Sequence, residues 1–216
     1  MKFILLCLAV ISGFSYAEIT NPGPGGISIS TTESHVINIV STDGLHKITL
    51  GSHFESDLNT QYSLNASVQA PDGTIYGADW QTGQLIKYDT NSNPTVVHTF
   101  TNSTDGGIYP LNLVYRNGYI YGQVSGRDAS DIGSLWKVAV DGSNFTTLHK
   151  FNNNGDGYID SLINGTTIDP QGNIYGSTNA SLYQIDNNDT ITFLSTQFPV
   201  NGLVYRNNFL YGDGLA

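Results

Sequence analysis

Cysteine is nearly missing from this 216-residue chain, and the single one, Cys7, lies in an apolar N-terminal run. A chain without a second cysteine cannot form an internal disulfide. Once the N-terminal run is removed it has no thiolate for catalysis or for a Cys-ligated zinc. Glutamate is equally scarce: Glu18, Glu33 and Glu55 are the only three, so the most common general acid is absent from the rest of the chain. Basic residues are few, with 8 Lys+Arg against 18 Asp+Glu and a formal charge of −10. Net negative charge without a basic run argues against nucleic acid and against an anionic membrane surface. No segment beyond the N-terminus approaches the roughly 20 apolar residues that span a bilayer, so no membrane insertion is expected. No helical period is sustained anywhere. There is no Gly-x-Ser-x-Gly elbow, no His-Glu-x-x-His and no phosphate-binding glycine loop.

The N-terminus has the layout of a secretory signal. Lys2 supplies the positive charge, Phe3 to Ile11 the apolar stretch, and Ser15-Tyr16-Ala17 small residues for cleavage. Residues 1–17 are therefore read as a signal peptide and the mature protein as secreted or periplasmic after cleavage near Ala17. Residues 18–34, with Asn21-Pro-Gly-Pro-Gly-Gly26 followed by Ser and Thr, read as a flexible linker with nothing to bury.

From His35 onward, short β-branched and aromatic runs alternate with Gly, Asn and Asp clusters, the pattern of an all-β fold. A hydrophobic residue followed by Tyr-Gly recurs at Tyr76-Gly77, Tyr121-Gly122, Tyr175-Gly176 and Tyr211-Gly212. Behind the first three, a strand-like run leads to another that closes on Phe100, Phe151 or Phe198. Repeats of about 40–50 residues point to propellers or arrays. The best-defined unit has strands at 112–115, 119–124, 135–140 and 145–151, with Asn117-Gly118 and Asp141-Gly142 as tight turns. Four antiparallel strands make one propeller blade. Residues 66–100, 111–151 and 163–198 each supply such a blade. Residues 35–54 resemble only the second half of a unit and 203–216 only the first half. The expected fold is thus a four-bladed β-propeller over residues 35–216, closed by N-terminal strands pairing with C-terminal strands in one shared blade.

Two units share further landmarks. One reads Leu148-His-Lys-Phe151, Asp156-Gly157, Ile168 and Gly172-Asn-Ile-Tyr-Gly176; the other reads Val97-His-Thr-Phe100, Asp105-Gly106, Leu111 and Gly118-Tyr-Ile-Tyr-Gly122. Order and spacing both hold, and the chain resembles the bacterial Gloeobacter/Verrucomicrobia (GloVer) tandem repeat over most of residues 53–212. The resemblance implies an exported, propeller-like repeat protein. It brings no catalytic residues with it.

In an up-and-down blade the one-to-two and three-to-four turns share one face; the two-to-three loops and blade-to-blade links share the other. The first set is short and repetitive, the second long and varied. Rigid scaffolds carry function on variable loops, so a ligand site is expected on the second face. Trp80 is the leading candidate, an indole in a polar loop suited to stacking on a sugar or anchoring a partner. Asp79, Tyr109, Arg127, Asp128 and Tyr158 complete the candidate ligand set, with Arg127 able to take an anion or to pair with Asp128 or Asp131. Residues 152–160 imitate the start of a calcium loop, Asn152, Asn154, Asp156 and Asp160 supplying oxygens and Gly157 the turn. Asn stands where Asp usually opens such a loop, and Ile163 where a bidentate acid closes it. Calcium is accordingly the only cofactor the sequence raises, and it is raised weakly. His53, His98 and His149 recur near the closing Phe, but on outer strands of different blades, too dispersed to converge on one ion. The expected function is an exported, monomeric binding module for an extracellular glycan or surface protein. Two alternatives stay open: a propeller hydrolase or lyase using axial Asp residues, and a structural cell-envelope repeat.

Overall fold

The computed structural model describes residues 28–33, 36–41, 44–49, 54–59, 61–126, 132–152, 155–159, 165–195 and 200–214. It is all-β apart from a single helical turn, and its sheets are antiparallel. The first sheet comprises β1 (Ser28–Glu33), β2 (Val36–Ser41), β3 (Gly44–Thr49) and β4 (Phe54–Asn59). The second comprises β5 (Leu64–Gln69), β6 (Ile75–Asp79), β7 (Gln84–Tyr88) and β8 (Pro94–Thr99). After the helical turn α1 (Asn102–Asp105), the third is built from β9 (Tyr109–Arg116), β10 (Tyr119–Ser125), β11 (Ser134–Ala139) and β12 (Thr146–Lys150). The fourth contains β13 (Thr166–Ile168), β14 (Ile174–Ser177), β15 (Leu182–Ile185) and β16 (Ile191–Ser195). Among the described residues the last contains β17 (Val200–Arg206) and β18 (Phe209–Gly214).

Within each four-stranded sheet the strands lie in chain order, so every connection is a hairpin. The first strands of successive sheets touch: β1 with β5, β5 with β9, β9 with β13, and β13 with β17. That is the propeller arrangement, blades side by side with their first strands innermost. Asn117 (φ 50°) and Gly118 (φ 82°) both turn into the left-handed region between β9 and β10, as a two-residue hairpin requires.

The termini depart from expectation. β1 falls inside the stretch read as linker, where Ser28-Ile-Ser-Thr-Thr32 supplies enough β-branched side chains for a strand despite the neighbouring Gly and Pro. With β1 in place, residues 28–59 make a four-stranded sheet of their own, and β17–β18 form a separate two-stranded one. The single blade shared by the two ends is therefore not among the pairings. The N-terminal stretch has its own inner strands and leaves β18 without a third strand to pair with among the described residues.

The repeated Tyr-Gly pair explains how the blades pack. Gly122 in β10 stands opposite Trp136 in β11, and a β-carbon at residue 122 would collide with the indole. Gly176 in β14 stands likewise opposite Tyr183, whose ring lies across it. In these two blades a bulky strand-three side chain thus folds over the bare backbone of strand two, whereas at Gly77 in β6 the space is filled by Leu64 of β5. Trp136 then joins Tyr76, Leu85, Phe100 and Ile120 in the core between the second and third blades. The tyrosine of the pair points toward the following blade. The Tyr76 hydroxyl donates to the Val140 carbonyl (2.9 Å), and that of Tyr121 donates to Asp189 Oδ1 (2.8 Å). Each acceptor lies in the next blade's turn between strands three and four.

The third and fourth blades carry a second tie, built on Arg116 at the end of β9. Arg116 is buried and donates to the carbonyls of Gly172 (3.0 Å) and Asp186 (2.8 Å), to the Tyr121 hydroxyl (2.7 Å) and to Asp189 Oδ1. Its guanidinium also lies over the Tyr121 ring, 4.3 Å from the centroid. Lys137 reaches the other oxygen of Asp189 at 2.5 Å. Burial pushes the Asp189 carboxyl upward, but the hydrogen bonds from Lys137 and Tyr121 and the two cations outweigh it and hold it below the ordinary carboxylate range.

Two measurements test this packing. Gly122→Val should lower stability by about 1–3 kcal/mol, the usual cost of overpacking a core, seen as an earlier denaturant midpoint. Asp189 contributes stability above its unfolded value and loses that contribution as pH falls through its lower folded one. The melting temperature should therefore drop below about pH 4, and Asp189→Asn should make that acid limb shallower. An unchanged limb would remove Asp189 from the tie.

Candidate functional site

The long-loop face is assembled from the strand two-to-three loops and the blade-to-blade links, and its backbone is held by repeated contacts. The Phe100 N–H donates to the Gly83 carbonyl (2.8 Å), and the Phe151 N–H donates to that of Gly133 (3.1 Å). Ile108 and Ile159 similarly donate to Ser125 (3.0 Å) and Ile132 (2.9 Å). The first link is thus bound to the loops of the blades before and after it; the second is bound twice to the loop of the blade before it and reaches the blade after it where the Asn179 N–H donates to the Tyr158 carbonyl (3.1 Å), so that residues distant in sequence share one surface.

That geometry brings together two of the expected residues. Trp80, in the β6–β7 loop, is 43% exposed and leans toward Tyr109 at the start of β9, ring centroids 6.4 Å apart and planes tilted by 49°. The pair straddles the seam between the second and third blades. Trp80 neither buries itself against the neighbour nor stands free, because Tyr109 props one edge and leaves much of the indole in water.

Asp79 is not part of that surface. It is 1% exposed and acts as the buried anchor of its loop, accepting from the N–H of Gln81 (2.9 Å) and from the Thr82 hydroxyl (2.7 Å). Tyr158 lies half-buried in the next link. Its N–H donates to Asn179 Oδ1 (2.8 Å) and its carbonyl accepts the N–H of Asn179 (3.1 Å). It belongs to a different seam from Trp80. Arg127 and Asp128 lie outside the described residues, as do Asn154 and Asp160 of the calcium-like loop.

Asp156 has a role that the calcium reading does not contain. Its Oδ2 lies 3.0 Å from His149 Nε2, and its Oδ1 accepts the N–H of Asn152 at 3.4 Å. The preceding unit repeats the device: Asp105 Oδ2 lies 3.3 Å from His98 Nε2 and accepts the N–H of Thr101 at 2.7 Å. Both acids are buried. Their carbonyls are used as well, with Ser134 Oγ donating to Asp105 and Thr178 Oγ1 to Asp156 (2.8 Å). The glycine after each acid takes a left-handed φ, 80° at Gly106 and 79° at Gly157, turning the link inward. The histidines pack on aromatic rings. His98 stacks on Phe145 at 3.8 Å, and His149 meets Phe151 edge-on at 4.9 Å. The recurrent His and Asp therefore lock the outer strand to the start of each link. Their common separation of seven residues was the signal available in the sequence. Among the described residues, no three His, Cys, Asp or Glu side chains are gathered in a way that could hold a metal.

No protein-family model matches the sequence, and no curated protein is similar to it. Solved structures do match in fold. A structure of a nidogen/laminin complex aligns at 16% identity and a TM-score of 0.62, over 83% of this chain and 68% of that one. A streptogramin B lyase aligns at 14% identity and 0.61, over 86% and 59%. A gluconolactonase from Xanthomonas campestris aligns at 13% identity and 0.59, over 82% and 65%. These are β-propeller proteins, and at such identities the likeness concerns the fold. The chain spans less than two thirds of the length of the two enzymes. Among the described residues, no helix is long and apolar enough to cross a membrane.

Removing the Asp156 carboxylate would leave the Asn152 N–H and the His149 ring without their buried acceptor. Asp156→Ala should cost about 1–3 kcal/mol, read from a denaturant melt, whereas a calcium chelator should leave the wild-type melting temperature where it is. A chelator-dependent shift would restore the calcium reading.

Proposed function

We propose that the chain is an exported β-propeller binding module that meets an extracellular glycan through its long-loop face. The observation that carries this reading is the Trp80–Tyr109 pair, an exposed indole held at a blade seam by a second ring. Two tilted aromatic planes offer the apolar face of a sugar ring a place to stack, and the Tyr hydroxyl and Trp N–H can serve its hydroxyls.

The described acids of this face support binding over hydrolysis. Asp79, Asp105 and Asp156 are all turned inward to backbone N–H groups, a threonine hydroxyl or a histidine. An acid–base pair for glycoside or ester cleavage needs carboxyl groups aimed at the ligand. The lactonase and lyase that share the fold lend their activities no further support, since function resides in sites and not in folds. A protein ligand is the second reading, favoured by the neighbour that was solved in complex with laminin. Export rests on the signal-like N-terminus and on the GloVer resemblance.

Screening on a glycan array, followed by titration of any hit, tests the proposal. Trp80→Ala and Tyr109→Ala should each weaken binding by at least about tenfold, equivalent to about 1.4 kcal/mol. Because Trp80 is exposed, its replacement should leave the melting temperature unchanged. Unaltered affinity in both variants rejects the site.

A further inference from the structure

The tight turn between β9 and β10 touches both seams of the third blade. Arg116, the residue before it, is buried and directs its guanidinium to the fourth blade, where it meets the Gly172 and Asp186 carbonyls and Asp189. Gly118, the second residue of the turn, accepts the Val140 N–H through its carbonyl at 3.0 Å. The Val140 carbonyl in turn accepts the Tyr76 hydroxyl of the second blade at 2.9 Å. Asn117 is all that stands between these two anchors. One residue thus sets the spacing on which contacts to both neighbours depend.

That residue is also chemically labile. Asparagine followed by glycine is the pair in which the next backbone nitrogen most readily attacks the side-chain amide, because glycine carries no β-carbon to obstruct the approach. At Gly118 an added β-carbon would meet nothing within 4 Å, so the surroundings contribute no hindrance either. Asn117 is exposed, and water reaches it. Asparagines of other turns are tied down: Asn93 Nδ2 donates to Asp89 (2.9 Å) and Asn173 Nδ2 to Asp169 (2.8 Å). Among the described residues no such acceptor holds the Asn117 carboxamide. One contact opposes the reaction. The Gly118 N–H, on the attacking nitrogen, donates to the hydroxyl of the half-buried Tyr115 at 3.1 Å.

We infer that Asn117 is a site of self-conversion to isoaspartate, that the change loosens both seams of the third blade, and that Tyr115 sets its pace. The Gly118 nitrogen bonds to Asn117 Cγ and gives up its proton, while the Cγ–Nδ2 bond breaks and ammonia leaves. Water then opens the resulting succinimide. Opening at the former main-chain carbonyl leaves the chain running through Cγ, with one extra backbone carbon and a free carboxylate. The reaction consumes only water and needs no oxidant, metal or enzyme. A two-residue hairpin loop has no slack for an added atom, since loop length fixes its register. Arg116 and Gly118 then cannot both keep their partners. The Tyr115 hydroxyl slows the first step, because it holds the N–H that the attack must release.

The full 216-residue chain is aged in mildly alkaline buffer, either folded or unfolded in urea, and then cleaved after lysine. Residues 88–137 carry Asn117, and residues 151–216 carry the other three Asn-Gly pairs. Mass spectrometry that separates isoaspartate from aspartate should find isoaspartate at Asn117 in the folded chain, formed more slowly than in urea, and the aged chain should melt earlier. Tyr115→Phe keeps the ring and should speed the folded-state conversion by about two- to tenfold, the factor that one ordinary hydrogen bond represents. In urea its rate should equal that of the wild type. Asn117→Gly removes the carboxamide and suits the positive φ, so its melting temperature should survive ageing. The inference is overturned by a folded chain whose Asn117 stays intact while the unfolded chain converts. Equal folded-state rates with and without the Tyr115 hydroxyl overturn it too, as does an Asn117→Gly chain that loses as much on ageing as the wild type.

Discussion

A blade of four short strands has two apolar faces and no means of burying either by itself. The fold therefore depends on one contact made again and again, the seam between consecutive blades. The Tyr-Gly pair builds that seam from both sides. Glycine removes the side chain that would hold the next strand's aromatic away, so Trp136 or Tyr183 lies flat on the sheet and faces the blade before it. Tyrosine does the opposite and extends toward the blade after it, where its hydroxyl meets a turn. Apolar burial supplies most of the gain, at about 25 cal/mol per Å². The hydroxyl adds direction, because a hydrogen bond to one particular turn fixes how far each blade has rotated relative to its neighbour.

Much of this was legible in the sequence, and for a physical reason. Strands of the middle blades announce themselves through alternation and through turns that demand Gly or Asn. β10 was expected at 119–124 and occupies Tyr119–Ser125, and the Asn117-Gly118 turn adopts the conformation its residue types dictate. The termini were less legible because their local signals conflict. Ser28–Glu33 follows a Gly-Pro run, and composition alone reads that neighbourhood as linker, while pairing with β2 turns it into a strand. With β1 paired to β2 the first sheet has four strands, and among the described residues the last hairpin has two. The strand at Ser28–Glu33 thus bears on both expectations, the linker and the shared blade.

The site was partly legible too. A lone tryptophan in a polar loop could be singled out, and strand order alone predicts that the β6–β7 loop and the following link share a face. That reasoning puts Trp80 and Tyr109 on one face without pairing them; the ring contact between the two is visible only in the structure. It could not separate Asp79 from them, because whether a loop acid faces water or its own backbone depends on the turn it closes. The His98–Asp105 and His149–Asp156 pairs were hidden for a different reason. Each half was visible, one as a recurrent histidine and the other as a calcium-like acid, but the two readings concerned separate ligands. Only the closure of each link shows that the groups satisfy each other.

The acidity of the chain follows from the same economy. A surface with a formal charge of −10 suggests electrostatic recognition, yet its aspartates are used locally. Asp72, Asp89, Asp141, Asp169 and Asp186 accept hydrogen bonds within their own turns, and each is held below the ordinary carboxylate range: chiefly by a backbone N–H at Asp72 and Asp186, chiefly by the side chains of Asn93 and Ser143 at Asp89 and Asp141, and at Asp169, where burial pushes the carboxyl up, by the Asn173 side chain and backbone that outweigh it. The two acids that open the links are spent on histidines. A carboxylate already saturated by donors has little left for a cation or a substrate proton. On the proposed reading, recognition on the long-loop face falls to groups that carry no internal duty, and there the aromatic rings at the blade seam qualify. Tight turns consume the negative charge, the seams consume the tyrosine hydroxyls, and the indole of Trp80 is left facing water with one ring behind it.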